Sequence, residues 1–348
     1  MTIRDSHRRP RHRFARWRGS SAFTLLELLV ALTITLLLAG MMISVVRSSL
    51  VLWQRTQDDF STAAQAKLVL DQLECDLQAA IFRPDGGTWL AVDVITNPAS
   101  LTAHGWLRSP VLMKPGTNES LRLLPTAPDG AVPVIGDARF GLAGAWLRLV
   151  TTNLETVGSL PVAVSYQVVR RPLSGAIIAS TPAAVRYTFY RSAVSQPNSF
   201  ALGNDVTAAG YGSTTVAPAV ARAGATLTNP SNTDALATNV VDFGVWLYAR
   251  QSGPGGLRRL FPADESDTSH AARDPGTAAE ANRFPEVVDV MVRILTEQGA
   301  TLLAEMESSR GVLVRPPDCA TDAEWWWAVV ETYSRVYTRR VEVQRGAP

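Results

Sequence analysis

An α+β architecture, with one long N-terminal helix packed on an antiparallel, β-rich globular domain, is the fold class that this 348-residue sequence predicts. Three observations carry the prediction. Residues 22–46 are apolar and hold a single charge before Arg47, that of Glu27. Apolar residues then recur at three- and four-residue spacing as far as about residue 82, the pattern of a helix with one buried stripe. From residue 84 the chain changes to short runs rich in β-branched and aromatic residues, separated by Gly, Pro, Asn and Asp.

The chain opens with a basic leader, residues 1–22, which carries seven Arg and one Asp. Without it the remainder holds 26 basic and 30 acidic side chains, a net charge of −4. The basic isoelectric point therefore belongs mainly to the leader, and no basic face for nucleic acid is evident in residues 23–348. Arginines immediately before an apolar run keep that end on the cytoplasmic side of a membrane. This orientation sends the rest of the chain across it.

Residues 23–46 form the first half of the helix and, at the rise of an α-helix, span about 36 Å, enough for a hydrocarbon core of about 30 Å. A carboxylate in such a segment is costly to insert, so Glu27 marks a functional position for which a partner is expected. The order Ala22-Phe23-Thr24-Leu25-Leu26-Glu27 resembles the processing motif of type IV prepilins and type II secretion pseudopilins: a small residue, then Phe, then Glu as the fifth residue of the mature chain. The resemblance implies that prepilin peptidase cuts between Ala22 and Phe23 and that the new amine of Phe23 is methylated. It also implies that Glu27 pairs with the terminal amine of a neighbouring subunit during assembly. Ala22 departs from the family, in which Gly is usual at that position.

Two plainer readings compete. An uncleaved signal anchor would share the basic flank and the apolar run, but has no use for an acid at residue 27. A removable secretory signal needs a shorter apolar core closed by small residues, and Leu38-Ala39-Gly40 is a poor site of that kind.

Residues 47–83 are expected to continue the helix outside the membrane, with Trp53, Phe60, Ala63, Leu70, Leu73, Leu77 and Ala80 on its buried stripe. Pro84 and the Gly86-Gly87 pair end it. Residues 84–348 form the globular domain. Strands are expected at 89–95, 145–152, 162–171, 184–191, 240–249, 287–295 and 336–343. Alternation across residues 185–190 suggests a strand with one buried and one wet face. Thr321 and Glu324 fit a capping box that opens a short helix through Trp325, Trp326 and Trp327, and residues 300–308 suggest another helix. Residues 192–239 and 251–285, rich in small polar residues, Pro and Gly, read as long loops. The sequence contains no internal repeat.

A second resemblance covers residues 73–79, 164–171, 240–248 and 284–290, which look like successive landmarks of the J-type minor pseudopilin of type II secretion. In that family the subunit sits in a tip complex that primes assembly. The long insertions and the Trp-rich C-terminal segment depart from it. The layout is also similar to a cassette of pilin-like proteins in the Verrucomicrobium group.

Catalytic chemistry has little to build on. Of four His, His7 and His12 lie in the leader, leaving His104 and His270 apart in the sequence. Nucleophile-elbow, zinc-protease and phosphate-loop motifs are absent from the sequence. No enzymatic activity, resident metal or cofactor is expected. Asp264, Glu265, Asp267 and Asp274 form an acidic stretch whose spacing fits no calcium loop, although some pseudopilins bind calcium. Cys75 and Cys319 either pair, as an exported chain permits, or stay free, with Cys75 buried in the helix seam. The tryptophans at 325–327 pack in the core or form a docking patch.

The functional expectation is a minor pseudopilin or pilin-like subunit of a type II secretion or type IV pilus-like filament. It would sit in the bacterial inner membrane with its domain in the periplasm, and its partners would be prepilin peptidase and other pilin-like subunits. The alternative is an uncleaved, signal-anchored periplasmic binding domain.

Overall fold

The computed structural model describes residues 24–83, 85–107, 114–115, 121–126, 131–152, 161–172, 185–203, 205–212, 215–216, 220–221, 226–251, 256–273, 282–308 and 313–343. The chain divides into two compact units, residues 1–56 and 57–348. The first helix, α1 (Leu25–Gln78), belongs to both. It contains no Pro and a single Gly, so nothing within it interrupts the backbone ladder. In the first unit every described residue is exposed.

The second unit is built on two antiparallel sheets. Its strands and remaining helices follow in the order β1 (Leu90–Val94), β2 (Ala145–Thr152), β3 (Pro161–Pro172), β4 (Val185–Ala193), α2 (Gln196–Ala201), β5 (Thr215–Val216) and β6 (Val220–Ala221). They continue with β7 (Ala235–Thr238), β8 (Val240–Arg250), β9 (Leu257–Phe261), β10 (Ser269–Ala272), β11 (Val287–Leu295), α3 (Glu297–Glu307), α4 (Asp322–Tyr333) and β12 (Ser334–Glu342). Six strands form one sheet in the order β10-β1-β2-β3-β4-β7, and four form the other in the order β12-β11-β8-β9. A two-stranded pairing of β5 with β6 stands apart.

The fold class read from the sequence is the one observed, and each expected strand and both short helices are present within a few residues. The core lies between the two sheets, where Phe189 of β4 meets Phe243 of β8 edge-on at 4.8 Å between ring centroids. At residues 57–78, α1 contributes Thr62, Ala66, Val69, Leu70, Leu73, Asp76 and Leu77 to the buried interior.

Several expectations change. The buried stripe of α1 begins at Thr62, whose hydroxyl meets that of Tyr337 at 3.0 Å, whereas Trp53, Phe60 and Ala63 are exposed. The helix also ends at Gln78, ahead of Pro84, because the backbone turns to sheet pairing: Ile81 N–H donates to Val150 at 2.9 Å and Ala80 bridges Thr151. Cys75 is an exposed free thiol on α1, and Cys319 is also free.

Strand β4 has no wet face over Tyr187, Thr188, Phe189 and Tyr190, all of which are buried. The cover comes from the stretch read as a long loop. Ser165 and Gln167 of β3 and Trp146 of β2 all donate to the carbonyl of Leu227, and Gln167 also donates to Thr228. Helix α2 adds Ser199, whose hydroxyl accepts from Ala163 N–H at 3.1 Å. Within residues 192–239, helix α2 and residues 226–230 thus lie over the outer face of the six-stranded sheet, the latter held chiefly through main-chain carbonyls, while β7 extends that sheet as an edge strand. In the same way residues 251–285 contain β9 and β10, and β10 pairs with β1 as an edge strand.

The capping box expected near the C-terminus forms. Thr321 Oγ1 accepts from Glu324 N–H, the Glu324 carboxylate accepts from Thr321 N–H, and Trp326 and Trp327 are buried core residues.

Candidate functional site

The expected processing site lies at the head of α1. Ala22 and Phe23 fall outside the described residues, and Glu27 sits in the first helical turn. Its carboxylate is not left to wait for another chain. Glu27 Oε2 accepts from the N–H of Thr24 at 3.0 Å and from its hydroxyl at 3.1 Å, while Thr24 Oγ1 accepts from Glu27 N–H at 3.2 Å. This is a reciprocal capping box, which satisfies donors that every helix N-terminus leaves free. Thr24-Leu25-Leu26-Glu27 carries that signature in the sequence, and assigning Glu27 to assembly alone overlooks it.

The apolar run behind this cap is covered by none of the described residues. Leu25, Leu29, Ile34, Leu38, Met42 and Val46 are all at least half exposed. Both of its threonines past the cap are satisfied internally: Thr33 donates to the Val30 carbonyl at 2.8 Å and Thr35 to that of Ala31 at 2.7 Å. A helix of this length and apolarity, with those hydroxyls closed on its own backbone, is suited to a hydrocarbon environment.

In the second unit the end of α1 is fixed to the sheets by charge. Asp76 is nearly buried and accepts two bonds from Arg191 of β4, at 2.7 and 3.1 Å, as well as the Tyr166 hydroxyl of β3. Burial, and then the neighbouring Asp76 carboxylate, push the Tyr166 phenol well above its ordinary value. Burial works against the charge on Arg191, but Asp76 outweighs it and holds the guanidinium above its ordinary value. On β12, Arg339 reaches Asp71 at 2.6 Å and Glu74 at 2.8 Å, and Arg335 reaches Asp59 at 3.1 Å.

A further buried constellation joins α3, α4 and the six-stranded sheet. Glu307 accepts from Arg170 Nε at 2.6 Å, from Tyr187 at 2.6 Å and from Trp326 Nε1 at 3.0 Å. It orders these elements around one carboxylate.

The remaining candidates are separate from one another. His104 contacts Gln167 at 2.9 Å and packs edge-on against Trp146, while His270 contacts the Arg283 carbonyl. In the acidic stretch, Asp264 accepts from Ser266 and Asp267 accepts from Ala263 N–H, so both carboxylates close local turns. Asp274 lies outside the described residues.

Residues 17–43 match the prokaryotic N-terminal methylation motif. The match covers Ala22, Phe23 and Glu27 and marks the head of the chain as a prepilin-type segment, the substrate form of prepilin peptidase. No curated protein and no solved structure matches the chain.

Proposed function

We propose that the chain is a minor pseudopilin or pilin-like subunit, cut between Ala22 and Phe23, methylated on Phe23, and built into a type II secretion or type IV pilus-like filament through its first helix. The observation that carries this reading is the methylation motif at residues 17–43, which runs into an apolar helix that the described residues leave uncovered. Apolar side chains on every side of a helix require lipid or other helices around them. A subunit that moves from membrane to filament meets both.

In this reading the leader stays in the cytoplasm, α1 crosses the inner membrane, and the two-sheet domain stands in the periplasm. The role is structural, with no catalysis of its own. The partners are prepilin peptidase and other pilin-like subunits. The segments 73–79, 164–171, 240–248 and 284–290 favour the J-type tip position. They lie at the end of α1, on β3, on β8 and at the start of β11, and so make up much of the core between helix and sheets.

The deciding experiment is the intact mass of the protein extracted from membranes. Processing predicts the loss of residues 1–22 together with one methyl group added at Phe23. A full-length mass would instead identify an anchored periplasmic binding domain.

A further inference from the structure

Lys114 and Asp242, the latter on β8, are both fully withdrawn from water, and Lys114 Nζ donates to Asp242 Oδ1 at 2.8 Å. The buried acids Glu307 and Asp76 are met by the guanidinium groups of Arg170 and Arg191. This pair instead sets an amine against a carboxyl group. Nζ also donates to the carbonyls of Val241 at 3.2 Å and Phe140 at 3.4 Å, which gives its three hydrogens three acceptors. Main-chain donors meet both oxygens of the acid, Phe243 N–H at Oδ1 at 3.1 Å and Phe140 N–H at Oδ2 at 3.2 Å.

Two cations lie near this one acid. Arg293 stands opposite Asp242 in the pairing of β11 with β8. Burial lowers the Lys114 amine from its ordinary value; Asp242 opposes this, and the charges of Arg293 and Arg139 add to the lowering. Taking an ion pair out of water costs several kcal/mol per ion, which mutual attraction returns only in the best geometries. A desolvated lysine beside other cations is the activated form of an amine nucleophile. Here its nearest neighbour is a carboxyl group.

We propose that Lys114 and Asp242 condense within the folded chain to a side-chain amide. The Nζ–Cγ bond forms as the Cγ–Oδ1 bond breaks. Of the three hydrogens on the ammonium group, two leave with Oδ1 as one water and the third stays on the amide nitrogen, so no other reactant enters. Phe140 N–H is placed to hold the charge that develops on Oδ2 and then donates to the amide oxygen, while the amide N–H keeps the Val241 carbonyl. Net charge at the site is unchanged, and the repulsion between Lys114 and Arg293 is removed. Cys75 and Cys319 are free. Among the described residues the amide is therefore the one covalent tie between distant segments, and a reductant does not open it.

The test takes the full chain from membranes, denatures it and measures its intact mass and its proteolytic peptides. The wild type is expected to be one water lighter than its sequence and N-terminus require, and to yield a branched peptide that joins residues 114 and 242. Lys114→Arg keeps the charge without the amine, so it should show the full mass and no branched peptide. Separate, unmodified peptides for residues 114 and 242 in the wild type overturn the proposal whether or not any variant folds. So does a water loss that maps elsewhere, as to a cyclised Asp85-Gly86. The readout lies at residues 114 and 242 and is the same for a processed or an unprocessed N-terminus, so its failure is distinct from failure of the prepilin reading.

Discussion

Arg191 of β4 holds Asp76 of α1 through both carboxylate oxygens, Nε to Oδ2 at 2.7 Å and a terminal nitrogen to Oδ1 at 3.1 Å. Both groups are largely withdrawn from water, so the pair behaves differently from the surface pairs around it. Asp76→Ala leaves Arg191 and the Tyr166 hydroxyl without their acceptor. Unfolding in urea should show a loss of about 3 kcal/mol, the scale for breaking a buried pair on one side. Removing Asp59, whose pair with Arg335 is half exposed on both sides, should change little by the same measurement.

Processing should depend on the size of residue 22. Ala22→Leu should leave the protein inserted in the membrane but at its unprocessed mass, whereas Ala22→Gly should process at least as well as the wild type. Mature-sized Ala22→Leu protein on a gel would break the prepilin reading.

Glu27 has a local role and a proposed intermolecular one, and substitutions separate them. Thr24→Ala removes the hydroxyl of the capping box and should cost about 1 kcal/mol of local helix stability, with partner binding retained. Glu27→Leu removes the carboxylate altogether, so it should insert at least as well yet co-purify poorly with pilin-like partners. Equal partner recovery for Glu27→Leu and the wild type would leave the acid with its capping role alone.

Acid should destabilise the globular domain through its two histidines. Burial lowers both His104 and His270 below the ordinary imidazole value of 6.5, with the Gln167 contact opposing it at His104 and the Arg283 carbonyl opposing it at His270. The unfolded chain then binds protons more readily than the folded one. Stability is complete above the ordinary value and falls as pH drops below it, towards the lowered folded values. Thermal midpoints measured between neutral pH and mildly acidic pH should fall, and His104→Gln should flatten the slope.

Much of the fold was legible because it rests on patterns that side chains write into the sequence. The β-branched run at residues 287–295 and the capping pair Thr321 and Glu324 each announce an element on their own, whereas the end of α1 at Gln78 is set by pairing with β2 and not by Pro84. The layer at residues 226–230 announces nothing, because Leu227 and Thr228 hold Ser165, Gln167 and Trp146 through carbonyl oxygens, which every residue possesses. The exposed position of Phe60 was equally hidden, since helical spacing reports which residues share a face and not where the covering sheet begins. At the candidate site, Phe-Thr-Leu-Leu-Glu carried the methylation motif, but the partners of Glu307, namely Arg170, Tyr187 and Trp326, come from separate segments that meet only in the folded chain.

The order in which the chain is made gives the β12 arginines a further consequence. Arg339 stands 268 residues after Asp71 and 265 after Glu74, and Arg335 stands 276 after Asp59. Synthesis from the N-terminus therefore delivers α1 well before the strand that clasps it. Until β12 emerges, those three acids lack their cations and the four-stranded sheet lacks its edge. Contacts this distant in sequence are the slow ones to close, so this clasp forms after the local pairings. A stop codon before residue 334 would make that open state permanent.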